Sequence, residues 1–201
     1  MNIAKYKTHS KEKLIHKLKK VKLLNPSKTI YVYKNAKVDL KKVKIEDLLP
    51  LQLYELNSSS ELIENLHKTF LKKYKTNIFE MKGFATYISD KKHFSFIPPV
   101  VEYIKNKDGK IQKIIIDGLH RILLAKKLKK KKITIVAIEN IPQKLLFPAE
   151  PNKWEELKIV EKAPEGKDKR KWLIPPEKAY LCYRNFQSVF QNIGKPRSLR
   201  S

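Results

Sequence analysis

The sequence predicts an α+β fold: a mixed sheet with flanking helices, a basic N-terminal helix and an irregular C-terminal extension. Three observations carry the expectation. Residues 98–104 and 111–116 are runs rich in β-branched residues, joined by Asn106-Lys107-Asp108-Gly109, whose Asp-Gly pair marks a tight hairpin turn. The second run passes through Asp117-Gly118 into a helical pattern over 119–128, with Ile122, Leu123 and Ala125, and then into another strand over 133–138. Past Asn140 the chain is interrupted by Pro142, Pro148, Pro151, Pro164, Pro175 and Pro176, which break every regular period.

In chain order the elements begin with a basic helix over 10–24. Ser10 caps it, Leu14, Leu18 and Val21 fall at helical spacing, and Asn25-Pro26-Ser27 ends it. Residues 29–33 read as a strand and 38–45 as a weaker one, running into Glu46-Asp47-Leu48-Leu49-Pro50. Ser58-Ser59-Ser60, followed by Glu61 and Glu64, marks a second helix start, because caps and acids suit the positive end of a helix. Leu62, Leu66, Phe70 and Leu71 carry that helix to about Tyr74. Residues 76–96 hold Phe79, Phe84, Tyr87, Phe94 and Phe96 without a clear period and are expected to be a loop-rich insertion. Two aromatic-bearing patches, 154–160 and 180–190, are expected to be strands or helices wrapped on the core. The expected organisation is a basic arm over 1–28, a core over 29–140 with its insertion at about 76–96, and an extension over 141–201.

Composition bounds the function. The 201 residues are 41% hydrophobic, enough for one domain with a real core. A single cysteine, Cys182, excludes an intramolecular disulfide, a multi-cysteine zinc site and a Cys-x-x-Cys redox pair. The longest apolar runs fall far short of a membrane span, and residues 1–22 contain no apolar stretch of signal-peptide length. A cytoplasmic protein with no membrane partner is expected.

The formal charge of +25 favours an anionic partner, yet it is built from 40 Lys and only 5 Arg. Arg suits bidentate phosphate and base-edge recognition, whereas Lys is a flexible point charge. The excess therefore reads either as a nucleic-acid surface or as solvated Lys in a compositionally biased chain. Its distribution is uneven. Residues 1–22 hold eight Lys and residues 105–132 hold ten, while residues 45–67 hold no Lys or Arg and five acids.

One local arrangement has chemistry written into it: strand, Asp117-Gly118-Leu119-His120-Arg121, helix, strand. The strand delivers Asp117 and Gly118 to its C-terminal edge, where a helix begins with free backbone N–H groups and a positive dipole end. Gly118 permits a tight turn and close approach of a ligand oxygen. His120 and Arg121 fall in the first turn and can add donors, and Arg121 is an Arg where Lys is the habit. Asp117 accepts hydrogen bonds and can hold Mg²⁺ or orient a hydroxyl. The same residues also fit a plain strand exit, with Asp117 capping the helix and the other two solvated or locally paired.

These residues resemble the core of the ParB/sulfiredoxin superfamily. The resemblance runs over 43–140, interrupted by 76–96. It rests on Ile114-Ile115-Ile116-Asp117-Gly118-Leu119-His120-Arg121, the following Ala125 and Ile133-Thr134-Ile135-Val136, and the earlier Pro98-Pro99-Val100-Val101. Sulfiredoxin chemistry is excluded, because Leu119 stands where that branch has its catalytic Cys. Chromosome-partitioning members carry a Gly-x-Arg-Arg motif and a following helix-turn-helix; His120 replaces the first Arg here, and the region after Asn140 offers no such motif. At the motif the chain is most similar to free serine kinases, whose Asp-Gly-His-His-Arg corresponds to Asp117–Arg121 with Leu119 in place of one His. Those enzymes use a Glu ahead of a helix, for which Glu55 is the candidate; the alternative for Glu55 is an exposed loop carboxylate.

The resemblance implies a nucleotide-binding phosphotransferase acting on a small hydroxyl substrate such as serine. Gly118, His120, Arg121 and the helix N-terminus would hold the phosphates of ATP or ADP, Asp117 would place Mg²⁺, and Glu55 would take the acceptor proton. An alternative is DNA binding through two Lys-rich surfaces, the 1–22 arm and the 126–132 run. A catalytically idle nucleotide sensor lies between them. The terminal Asn192-Ile193-Gly194-Lys195-Pro196-Arg197-Ser198 is either a phosphate-contacting tail or a basic chain end.

Overall fold

The computed structural model describes residues 3–25 and 27–193, with Lys167 described by its backbone alone. In chain order the elements are β1 (Ile3–His9), α1 (Lys11–Leu18), β2 (Lys22–Leu23), β3 (Lys37–Lys44), β4 (Leu48–Pro50), β5 (Tyr54–Leu56), α2 (Asn57–Tyr74), β6 (Phe84–Ser89) and β7 (Lys92–Phe96). They continue with β8 (Val100–Lys105), β9 (Ile111–Asp117), α3 (Leu119–Lys127), β10 (Lys132–Glu139), β11 (Ala149–Glu150), β12 (Lys158–Val160), β13 (Lys171–Trp172), α4 (Pro176–Tyr180) and β14 (Arg184–Asn185). This is the expected mixed α+β architecture.

Among the described residues the main sheet has five strands in the order β3-β10-β8-β9-β4, with β10–β8 and β4–β9 parallel and the other pairs antiparallel. The β8–β9 hairpin closes where the sequence places it. Gly109 takes φ +76, and the Asn106 carboxamide oxygen accepts from the amides of Asp108 and Lys110 at 3.0 and 2.8 Å. One sheet face buries Val43, Ile133, Ile135 and Ala137 against Leu66 and Phe70 of α2 and Leu119, Ile122 and Ala125 of α3. The other buries Val38, Val136 and Ile138 with Leu14 and Leu18 of α1 and with Phe186 and Phe190. Alternation along the strands thus feeds two cores from one sheet.

Helix α1 is eight residues long, too short to persist alone in water. Ser10 caps it, and the full burial of Leu14 and Leu18, each contributing about 1.5–3 kcal/mol, holds it on the sheet. It ends at Leu18 instead of running to 24; Val21 is buried, but in extended chain leading to β2. The strand expected over 29–33 is reduced to one bridge between Lys22 and Tyr31, because the chain turns over residues 32–35, burying Val32 and Tyr33. Helix α2 starts at Asn57, so Ser58–Ser60 lie in its first turn, and no side chain among the described residues caps it.

The expected loop over 76–96 contains the β6–β7 hairpin, and β1, which the sequence did not announce, joins it in a β1-β6-β7 antiparallel sheet. The hairpin turn passes through Asp90 and Lys91, both left-handed at φ 50 and 61. Two positive φ values make the preferred hairpin turn, but Asp-Lys does not advertise it as Asp-Gly does. The aromatics of that segment form a cluster: Tyr6 stacks on Tyr74 at 4.2 Å, and Phe70 meets Tyr87 and Phe96 edge-on at 5.5 and 5.3 Å.

The C-terminal segment is built into the core. Strand β14 pairs with β2, and Arg184 is wholly buried, where it donates to both carboxylate oxygens of Glu102 at 2.8 and 2.9 Å. Tyr33 donates its hydroxyl to the same carboxylate at 2.8 Å. Arg170 lies among the rings of Phe147, Trp172 and Tyr183 at 5.0–5.5 Å. Pro26 of the expected helix stop, and the terminal stretch from Gly194 to Ser198, lie outside the described residues. Among the described residues no helix is long and apolar enough to cross a membrane.

Candidate functional site

The β9–α3 turn requires glycine at position 118. Its φ of +90 is left-handed, and a Cβ there would lie 2.6 Å from Arg121 Nη2 and 2.8 Å from Pro99 Cα. The hydrogen bonds of α3 begin with the amides of Arg121 and Ile122, both directed to the Gly118 carbonyl at 3.0 and 3.2 Å. The amides of Leu119 and His120 precede that ladder, at the positive end of the helix dipole. A cleft of about 70 Å³ opens there, between Leu51-Gln52 and the turn from Ile115 to His120. It has room for a phosphoryl-sized group, not a whole nucleotide.

The predicted site residues divide around that cleft. Asp117, Gly118 and His120 line it. Arg121 is not among the lining residues: it is only 6% exposed and donates to the Asp117 carboxylate and the Ile97 carbonyl. The fork geometry that made this Arg conspicuous in the sequence therefore clamps the turn from beneath. Its Nε is buried with no hydrogen-bond partner among the described residues, beside Gly118. Arg121 does not line the cleft, so the donors an anion would meet there are the Leu119 and His120 amides.

Glu55 is not among the lining residues; its strand meets the site only through the backbone of the next residue. Strand β5 pairs in parallel with β12, opposite Ile159, and leads directly into α2. The Leu56 amide donates to His120 Nε2 at 3.2 Å, so this ring nitrogen is an acceptor and the imidazole proton sits on Nδ1. Glu55 is the residue before that amide, and its Oε1 accepts from the Ser60 hydroxyl at 2.5 Å. Ser60 reads in the sequence as a helix-capping residue; its carboxylate partner five positions earlier has no spacing signature.

Helices α2 and α3 pack together around Glu64, which lies 2.8 Å from both Lys127 and Lys68. Those two ammonium groups pull the Glu64 carboxyl down to about 2. Lys126 lies 3.9 Å above the Trp154 ring, and burial there lowers its pKa. Two cations of the 126–132 run are thus engaged by the protein itself, while Lys129 to Lys132 are exposed. Among the described residues no group of three or more His, Cys, Asp or Glu side chains converges as a metal centre. A Mg²⁺ here would rely on Asp117 and on the ligand's own phosphates.

The arginine signal had a different meaning from the one expected. Arg121, Arg170 and Arg184, three of the five in the chain, are all buried. Among the described residues, fork-shaped donors hold the fold and the surface is left to Lys.

The family model of the ParB CE domain matches residues 13–159, most of the chain. Comparison with curated proteins gives no match. Among solved structures, the C2221 form of a Pnob8-like ParB-N domain is 16% identical, with a TM-score of 0.28, a superposition that carries no argument about the fold. That match covers 55% of this chain and 33% of the other.

Proposed function

We propose, from the premise that the chain belongs to the ParB CE domain family, that it is a nucleotide-binding ParB-type protein that transfers a phosphoryl group to a small hydroxyl substrate. Serine is the nearest analogue of that substrate, and the free serine kinases are the branch its motif resembles. The observation that carries the reading is the bond from the Leu56 amide to His120 Nε2, which fastens the Glu55 strand to the phosphate-sized cleft.

In this reading the Leu119 and His120 amides receive a phosphate of ATP or ADP, and the His120 side chain lines the same cleft. Arg121 acts from beneath, holding Asp117 and the Gly118 turn in place. Mg²⁺ bound with the phosphates would neutralise charge on the transferred group, and Asp117, which lines the cleft, would hold it. Glu55 Oε2 takes the proton of the acceptor hydroxyl as its oxygen bonds to phosphorus and the bridging oxygen leaves with the remaining nucleotide. Ser60 fixes the carboxylate through Oε1.

The test is phosphoryl transfer from labelled ATP or ADP to serine and other small alcohols with Mg²⁺, beside the variants Glu55→Gln and Asp117→Asn. Glu55→Gln should remove transfer and keep nucleotide binding, while Asp117→Asn should weaken both. Undiminished turnover in both variants would overturn the assignment.

A second reading is DNA binding, favoured by the exposure of the Lys129–Lys132 cluster and by the family. It requires an affinity that falls steeply with salt, and it fails if charge reversal of that cluster leaves DNA binding unchanged.

A further inference from the structure

A second cleft, far larger than the first at about 580 Å³, lies on the β3–β10 face of the main sheet. Toward Val38 and Ile138 this face is covered by the α1 core. Toward Lys44 and Lys132 the cover stops, and a groove opens between Lys11, β3 and the segment from Glu80 to Lys82. Its volume falls in the range of sites that take a discrete ligand segment.

Three observations describe what the groove would accept. Its rim is cationic: Lys11, Lys42 and Lys82 line it, and just beyond it Lys44 faces Lys132 directly across the strand pair. Like charges directly opposite one another destabilise a sheet, and Lys44 offsets this by pairing with Glu46 at 3.2 Å, again a carboxylate counter-ion. Its remaining wall includes the apolar side chains of Leu40 and Met81, and its lining contains neither an aromatic ring nor a guanidinium. Stacking and bidentate phosphate recognition therefore have no counterpart there.

The rim cations already use carboxylates as counter-ions: Lys11 meets Asp39 at 2.5 Å and Lys42 meets Glu80 at 2.7 Å. Finally, β3 is the terminal strand of its sheet, and the Leu40 amide is taken by the Asp39 side chain at 2.7 Å. An open strand edge offers alternating main-chain donors and acceptors that an extended polypeptide can match in register. The same basic edge repels another copy of this +25 chain.

We propose that the groove binds an extended acidic polypeptide segment of a partner protein, its carboxylates on Lys11, Lys42 and Lys82 and an apolar side chain on Leu40 and Met81. The acid groups of the segment replace Asp39 and Glu80 as partners of the rim lysines.

The probe is a short fluorescein-labelled peptide alternating Glu and Leu, titrated with the full chain by fluorescence anisotropy. The expected result is saturable binding weakened about tenfold or more by the double variant Lys42→Glu/Lys82→Glu and by Leu40→Asp. Charge reversal at Lys129 and Lys130 should change the affinity less than about twofold, and the peptide with Gln in place of Glu should bind far more weakly. Lys42 and Lys82 are exposed, so their charge reversal leaves the fold intact, which circular dichroism checks. Absent binding, equal binding by wild type and groove variants, or an equal loss on reversing Lys129 and Lys130 would each overturn the proposal. So would a duplex DNA whose binding responds to the groove variants while the peptide's does not.

Discussion

Arg184 donates to both oxygens of the Glu102 carboxylate at 2.8 and 2.9 Å, and neither side chain is exposed at all. Two further bonds, to the carbonyls of Cys182 and Leu145 at 2.7 and 2.8 Å, bring four of the five guanidinium N–H groups into use. The pair joins β8 of the main sheet to β14 of the C-terminal segment. Charges buried this deeply persist only when paired and fully hydrogen-bonded. Arg184→Met leaves an uncompensated carboxylate and should lower stability by about 3–5 kcal/mol in urea denaturation. Removing both charges, in Glu102→Leu with Arg184→Met, should cost less than Arg184→Met alone. A loss below about 1 kcal/mol in the single variant would contradict this role.

Gly118→Ala should destabilise the protein by about 1–3 kcal/mol, because it adds a methyl group at a left-handed φ and drives it against Arg121 and Pro99. The comparison is Gly109→Ala, also at a positive φ but with nothing within 4 Å of the added atom. Gly118→Ala should lower the melting temperature more. Equal effects would show that backbone strain alone matters and that the packing under the turn does not.

Arg121→Lys tests whether this side chain is a clamp or a surface cation. A lysine cannot reach the Asp117 carboxylate and the Ile97 carbonyl together, so the variant should lose about 1–3 kcal/mol even without ligand. A melting curve that matches the wild type would place the Arg121 head group outside the protein.

Glu64 supplies a pH prediction. Its carboxyl is held at about 2 by Lys127 and Lys68, against an unperturbed value of 4.5. A depressed folded-state value stabilises the charged form. The contribution is therefore present above about 4.5 and is lost as pH falls toward about 2. A carboxyl-carbon NMR titration should find Glu64 still ionised at pH 3, and Lys127→Ala should move its midpoint toward 4.5. A midpoint already near 4.5 in the wild type would remove the bridge between α2 and α3.

The strand–turn–helix–strand run from Val100 to Glu139 was legible because each part carried its own local signal: alternation, Asp-Gly, helical spacing, alternation again. The β6–β7 hairpin was hidden because its left-handed turn is made by Asp90 and Lys91, and β1 because Lys5 and Lys7 interrupt a strand in which only Ile3 is buried. Asp117, Gly118 and His120 were findable at the cleft, since a turn into a helix concentrates their chemistry in consecutive positions. The inward direction of Arg121 and the buried Glu102–Arg184 pair depend on residues 24 and 82 positions apart. No local pattern carries contacts of that range.

The central claim is that the α3 N-terminus takes a nucleotide phosphate. The direct measurement is a thermal-shift titration of ATP, ADP and CTP with Mg²⁺ on the wild type and on His120→Ala. A saturable rise in melting temperature is predicted for at least one nucleotide, with its half-point moved about tenfold or more higher in His120→Ala. No rise with any of the three, or the same half-point in both proteins, would contradict it.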